Sequence, residues 1–111
     1  MTTVWYQVRD LDAARRFYRE KLGFTETYFD GKDNWSRLER NGSKIALAVG
    51  EPQADGAVAH VEVEDVKAEA ARLRAEGVDV GVVLELHGEM RLLEVNDPDG
   101  NRIELSQDVS A

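Results

Sequence analysis

The chain has 111 residues, the length of one domain, and its 42% hydrophobic and 32% charged content is that of a folded, non-membrane protein. It has no cysteine, which excludes disulfides, Cys-based zinc sites and thiol catalysis. Twenty-two acids against fourteen bases give a net charge of −8, which repels phosphate backbones and argues against nucleic acid as a partner.

No stretch approaches the roughly 18 apolar residues of a membrane-spanning helix. The start, Met-Thr-Thr-Val-Trp-Tyr-Gln, lacks the basic and apolar regions of a secretory signal. A cytoplasmic protein without a membrane partner is therefore expected.

Residues 3–9 alternate in character, as a half-buried strand does. Asp10 suits a helix N-cap and Asp12 a first helical turn. Ala14, Phe17, Tyr18 and Leu22 then recur at helical spacing, and Gly23 can stop the helix in a left-handed conformation. Strands are expected over 24–29, 35–40 and 44–49, the last two joined by an Asn41-Gly42 hairpin turn. The same order follows again: a strand over 57–63, a helix over 66–76 with Val66, Ala70 and Leu73 inward, and strands near 80–86, 90–96 and 101–106. Asp97-Pro98-Asp99-Gly100 closes the last hairpin.

The recurrence is visible in the residues themselves. Val8-Arg9-Asp10-Leu11-Asp12-Ala13-Ala14 returns as Val63-Glu64-Asp65-Val66-Lys67-Ala68-Glu69, an offset of 55. Asn41-Gly42-Ser43-Lys44-Ile45-Ala46-Leu47 returns as Asp99-Gly100-Asn101-Arg102-Ile103-Glu104-Leu105, an offset of 58. Two βαβββ modules are expected in one domain: module 1 over about 1–50, a linker over 51–56, and module 2 over about 57–107.

A unit of about 55 residues buries only a modest core, so the modules are expected to pack together. Val4, Tyr6, Val8, Ile45 and Leu47, with Ala59, Val61, Val63, Ile103 and Leu105, mark the core face. The opposite face carries Trp5, Gln7, Ala46 and Ala48 in module 1 and His60, Glu62, Glu104 and Ser106 in module 2. Its mixture of aromatic, polar and small residues is that of a binding surface. The fold class is α+β, a curled mixed sheet around a cleft with the helices packed outside.

Val8–Tyr18, Leu22-Gly23-Phe24, Val63-Glu64-Asp65-Val66 and Asp97–Leu105 resemble the vicinal oxygen chelate superfamily, which holds glyoxalase, extradiol dioxygenase and bleomycin resistance proteins. The resemblance implies a homodimer. It also implies metal ligands at four positions, occupied here by Thr3, Val58, Ala46 and Glu104. One carboxylate survives of four donors, so no metal is favoured. His60, two residues after Val58, joins Glu104 as a weak candidate for a rearranged divalent metal site.

Other chemistry finds little footing: there is no phosphate loop, no Gly-x-Ser-x-Gly and no zinc-protease motif. His87 reads as a solvated loop residue, and Arg37 or Arg91 could hold an anion. Glu62 and Glu104 could share acid and base roles or stand apart. Trp5 and Trp35 can stack on flat rings and attract cations, or serve packing at a subunit contact. The expected function is binding of a small aromatic or cationic organic molecule by Trp5, Gln7, Trp35, His60, Glu62 and Glu104, without a metal. The alternative is a metal-dependent lyase or dioxygenase.

Overall fold

An aspartate opens the helix of each module. In the computed structural model, which describes residues 3–53 and 56–109, the Asp10 carboxylate accepts from Ala13 N at 3.1 Å and Asp65 accepts from Ala68 N at 3.0 Å. These bonds satisfy backbone donors that a helix start leaves without partners. The first module runs β1 (Thr3–Val8), α1 (Leu11–Glu20), β2 (Thr25–Asp30), β3 (Trp35–Arg40) and β4 (Ser43–Val49). The second runs β5 (Ala59–Glu62), α2 (Val66–Ala75), β6 (Leu84–Leu86), β7 (Met90–Asn96) and β8 (Arg102–Asp108).

Each module makes one four-stranded mixed sheet, in the order β1-β4-β3-β2 and β5-β8-β7-β6. The first strand lies parallel to the last, and the other pairs are antiparallel. This is the expected α+β architecture of two βαβββ units, except that the two sheets are not closed on one another. The strand expected over 80–86 is also shorter. Val80 makes an isolated bridge to Val95, and regular pairing begins only at Leu84 opposite Leu92. Gly81 still bonds Glu94 O at 2.9 Å, and the register then shifts by one residue before Leu84, a bulge that separates the bridge from the strand.

Tyr6, Val8, Tyr18, Leu22, Leu38, Ile45 and Leu47 from module 1 join Val61, Val66, Leu73, Leu93, Ile103 and Leu105 from module 2 in one apolar core. The helices cover one face of the sheets, and the other face remains uncovered. That uncovered face is where Trp5, Gln7 and His60 stand exposed.

The modules are tied crosswise. β1 and β5 end their sheets, so each has an edge without a strand partner. The β3–β4 turn reaches β5: Asn41 Nδ2 donates to Glu62 O at 2.7 Å, and Ser43 Oγ donates to His60 O. The β7–β8 turn reaches β1: Asn101 Nδ2 donates to Gln7 O at 3.0 Å. Gln7 and Glu62 are equivalent residues at the offset of 55, so the ties end on matching strand positions, although the donors differ: at the offset of 58 the counterpart of Asn101 is Ser43, which bonds His60 O instead. Lys21 and Glu76 are also equivalent, and they pair with each other at 2.9 Å. A residue that meets its own counterpart lies beside the approximate two-fold axis of the duplication. Identical charges there would repel; the two copies have diverged to opposite signs.

One buried carboxylate organises the second tie. Asp97 Oδ1 accepts from Asp99 N at 2.9 Å and Asn101 N at 2.8 Å, and Oδ2 accepts from Tyr18 Oη at 2.8 Å and Asn101 Nδ2 at 3.0 Å. Burial and the neighbouring Asp97 charge push the Tyr18 hydroxyl well above its ordinary pKa, so it remains a donor. Tyr6 lies against Tyr18, accepts from Ala59 N at 2.8 Å and donates to Arg102 O at 2.5 Å, and burial raises its hydroxyl to about 12.

On the helix-covered face of the first sheet, Arg15 clamps Glu26 through two bonds of 2.6 and 2.8 Å, and Ser36 Oγ donates to the same carboxylate at 2.5 Å. The Arg15 bonds foremost hold the Glu26 carboxyl below its ordinary range.

Two outcomes follow from these networks. Asp97→Ala strands the Tyr18 hydroxyl and the turn amides, and should cost about 3 kcal/mol, against about 1 kcal/mol for Tyr18→Phe, measured by urea unfolding. A smaller loss for Asp97→Ala than for Tyr18→Phe would remove the carboxylate from its organising role. Because the pKa of Glu26 is lowered on folding, its contribution is complete above the ordinary carboxylate value and is lost as pH falls through the lowered one. Stability should therefore decline below about pH 4.5, and Glu26→Gln should decline less over that window. Equal slopes for the two proteins would contradict the pairing.

Candidate functional site

The uncovered face of module 1 is aromatic because of what lies between its tryptophans. Trp5 on β1 stands opposite Ala46 of β4, and Trp35 on β3 stands opposite Ala48. With only methyl groups on the intervening strand, the two indoles lean over β4 until their ring centroids are 5.5 Å apart. Tyr28 joins Trp35 at 5.0 Å. Trp5 is 58% exposed and Tyr28 44% exposed, so the three rings form a platform open to solvent. Such rings normally bury most of their surface, and an exposed cluster is a mark of recognition.

Tyr28 was not among the expected residues, and the reason is a β-bulge. Glu26 pairs with Leu38 on the core side, and strict alternation would send Tyr28 the same way. The register instead slips between Glu26 and Tyr28, leaving Tyr28 opposite Arg37 on the tryptophan face. Arg37 itself lies 6.0 Å from the Tyr28 ring and donates from Nε to Thr27 Oγ1 at 3.4 Å.

Module 2 presents charge instead. His60, Glu104 and Glu94 lie side by side across β5, β8 and β7. Glu94 and Glu104 are directly opposite, which is unfavourable for like charges. Arg102 Nη1, 3.7 Å from Glu94 Oε2, offsets one of these charges, and His60 Nε2 lies 3.3 Å from Glu104 Oε2. Glu62 lies one step along, level with Ser106 and Leu92.

Of the six expected residues, the structure joins Trp5 with Trp35 and His60 with Glu104. Gln7 stands beside Ala48, and Glu62 follows His60 on the same face. No interaction among the described residues links the aromatic group to the acidic one. Arg91 bonds Glu85 at 2.9 Å, on the side of β7 opposite to Leu92, away from this face. His87 occupies the β6–β7 turn with a positive φ of 52°.

The positions to which the resemblance assigns metal ligands do not fit a metal centre. Thr3 offers a hydroxyl, Ala46 a methyl group, Val58 an isopropyl group, and Glu104 alone a carboxylate. Among the described residues, no three His, Asp or Glu side chains group closely enough to hold an ion.

A fold of paired βαβββ modules with an uncovered strand face defines a recognisable class. The profile of the Glyoxalase/Bleomycin resistance protein/Dioxygenase superfamily matches residues 2–105, and the chain belongs to that superfamily. No curated protein matches it. Among solved structures, an integron cassette protein from the mobile metagenome of Halifax Harbour sewage outfall is similar at a TM-score of 0.83 and 22% identity, covering 96% of this chain and 97% of that one. TnmS3, an antibiotic binding protein from Streptomyces sp. CB03234, gives 0.75 at 28% identity, over 96% and 93%. The fosfomycin resistance protein FosX from Listeria monocytogenes gives 0.78 at 18% identity, over 96% and 91%.

Proposed function

We propose that this protein binds a small aromatic or cationic organic molecule on its uncovered strand face and does so without a metal. The observation that carries the reading is the exposed platform of Trp5, Trp35 and Tyr28, held together over two alanines. Flat rings stack on such a platform, and the negative faces of indoles attract cations. Gln7 supplies a polar group beside it. Glu62 and Glu104 supply negative potential from the second module, in keeping with a chain of net charge −8, and His60 adds a polar group beside them. The 28% identity to an antibiotic binding protein supports sequestration of a drug-like ligand over turnover.

The protein acts in this reading as a cytoplasmic homodimer of one-domain subunits. Val82, Leu84, Leu86 and Met90 form an exposed apolar stretch around β6, which favours a second copy as its cover. The remaining alternative, a metal-dependent lyase or dioxygenase, has the His60–Glu104 contact in its favour and the three unsuitable positions against it.

Tryptophan fluorescence, followed while aromatic cations such as 1-methylquinolinium are added, tests the proposal. Saturable quenching is expected, with affinity falling about tenfold in Trp5→Ala or Trp35→Ala. Absence of any response across a panel of aromatic and cationic compounds would refute it. Stoichiometric transition metal in protein purified without chelator would favour the enzyme instead.

A further inference from the structure

A small cavity of about 210 Å³ lies where β1 meets the entry to β5, lined by Trp5, Gln7, Gln53 and Asn101 together with Tyr6 and the backbone at Gly56 and Ala57. No acid or base lines it, in a chain with 32% charged residues. Its most constrained wall is Asn101, which is only 4% exposed. The Asn101 Nδ2 group is fully committed, donating to Gln7 O and to Asp97 Oδ2, each at 3.0 Å. Both partners are acceptors, so the orientation of the amide is fixed and its oxygen is the remaining group. That oxygen accepts no hydrogen bond from the described residues. Asn101 Oδ1 is thus the one polar atom of this side chain without a partner among the described residues, and Asn101 lines the cavity.

Gln7 faces it with a second carboxamide, which makes no hydrogen bond among the described residues. Its place is set by Gly50: a Cβ there would lie 3.0 Å from Gln7 Oε1 and 3.1 Å from its Cδ. Trp5 adds a flat wall shared with the aromatic platform. The result is an anchored acceptor, an amide able to donate or accept, and a stacking surface, with no charge.

We propose that this cavity is a subsite for an uncharged planar group carrying an N–H donor beside an acceptor: a primary carboxamide, a lactam or the edge of a pyrimidine-like ring. Asn101 Oδ1 takes the donor, Gln7 meets the acceptor, and Trp5 stacks on the plane. Gly50 is the positioning residue for Gln7. A volume below the roughly 300 Å³ at which drug-sized pockets begin suits one such group and not a whole ligand. The inference rests on the reading in which Trp5 stacks a ligand, and it adds the chemistry that the platform alone does not specify.

Titration of the full chain with benzamide and N,N-dimethylbenzamide, followed by ¹⁵N-edited NMR, tests the subsite separately from the platform. Benzamide should bind at least about tenfold tighter than its dimethyl analogue, because a site built around an acceptor penalises a missing donor. It should also shift the Asn101 side-chain amide signals, and Gln7→Ala and Gly50→Ala should each collapse the preference. Gly50→Ala keeps the Asn101 network intact, so the test survives if another variant fails to fold. If 1-methylquinolinium binds and benzamide shows no preference, the subsite is refuted and the platform stands. If benzamide is preferred and 1-methylquinolinium does not bind, the subsite stands without the platform. Absence of binding by either overturns both.

Discussion

Two strands without a neighbour set the main constraint on this molecule. β1 and β5 each end a sheet, and a bare strand edge beside a shared core invites either water or a foreign strand. The duplication resolves this by exchange: the last hairpin of each module caps the first strand of the other with side-chain donors. Asn41 and Ser43 serve β5, and Asn101 serves β1. A side chain can bond a strand edge without continuing the sheet, so the modules are joined while their sheets stay separate. This leaves the uncovered faces open and places Asn101 between Asp97 and Gln7.

The same junction links the interior to the uncovered face. Asp97 gathers Tyr18, Asn101 and two turn amides in the interior, and one bond further out the network reaches Gln7 O on the edge of the uncovered face. The two halves of that face differ in character although they descend from one unit. Alanines at positions 46 and 48 make room for an aromatic platform in module 1. Their counterparts in module 2, Glu104 and Ser106, give a polar and acidic surface instead. The duplication has thus been used to set unlike surfaces side by side, as it set Lys21 against Glu76 near the axis.

Much of this was legible in the residues because local rules agreed with one another. The Asp10 and Asp65 caps, the Asn41-Gly42 turn with φ of 50° and 83°, and the alternation along β1, β4, β5 and β8 all match the observed elements. The pairing of Trp5 with Trp35, and of His60 with Glu104, follows from register once the strands are in place. Tyr28 was hidden because a bulge breaks the period of two on which face assignment depends. Open sheets were hidden because alternation fixes faces and says nothing about closure. The role of Asn101 was hidden most deeply: a residue after a turn reads as turn chemistry, and only its distance to a strand 94 positions away reveals a second duty.

The central claim is that the crossed ties make the two modules a single cooperative unit. Native-state hydrogen exchange measures this most directly. The slowest amides of β1, β4, β5 and β8 should open with one common free energy and one common dependence on denaturant. Exchange of β5 and β8 at a distinctly lower free energy than β1 and β4 would show the modules opening separately, and would contradict the account.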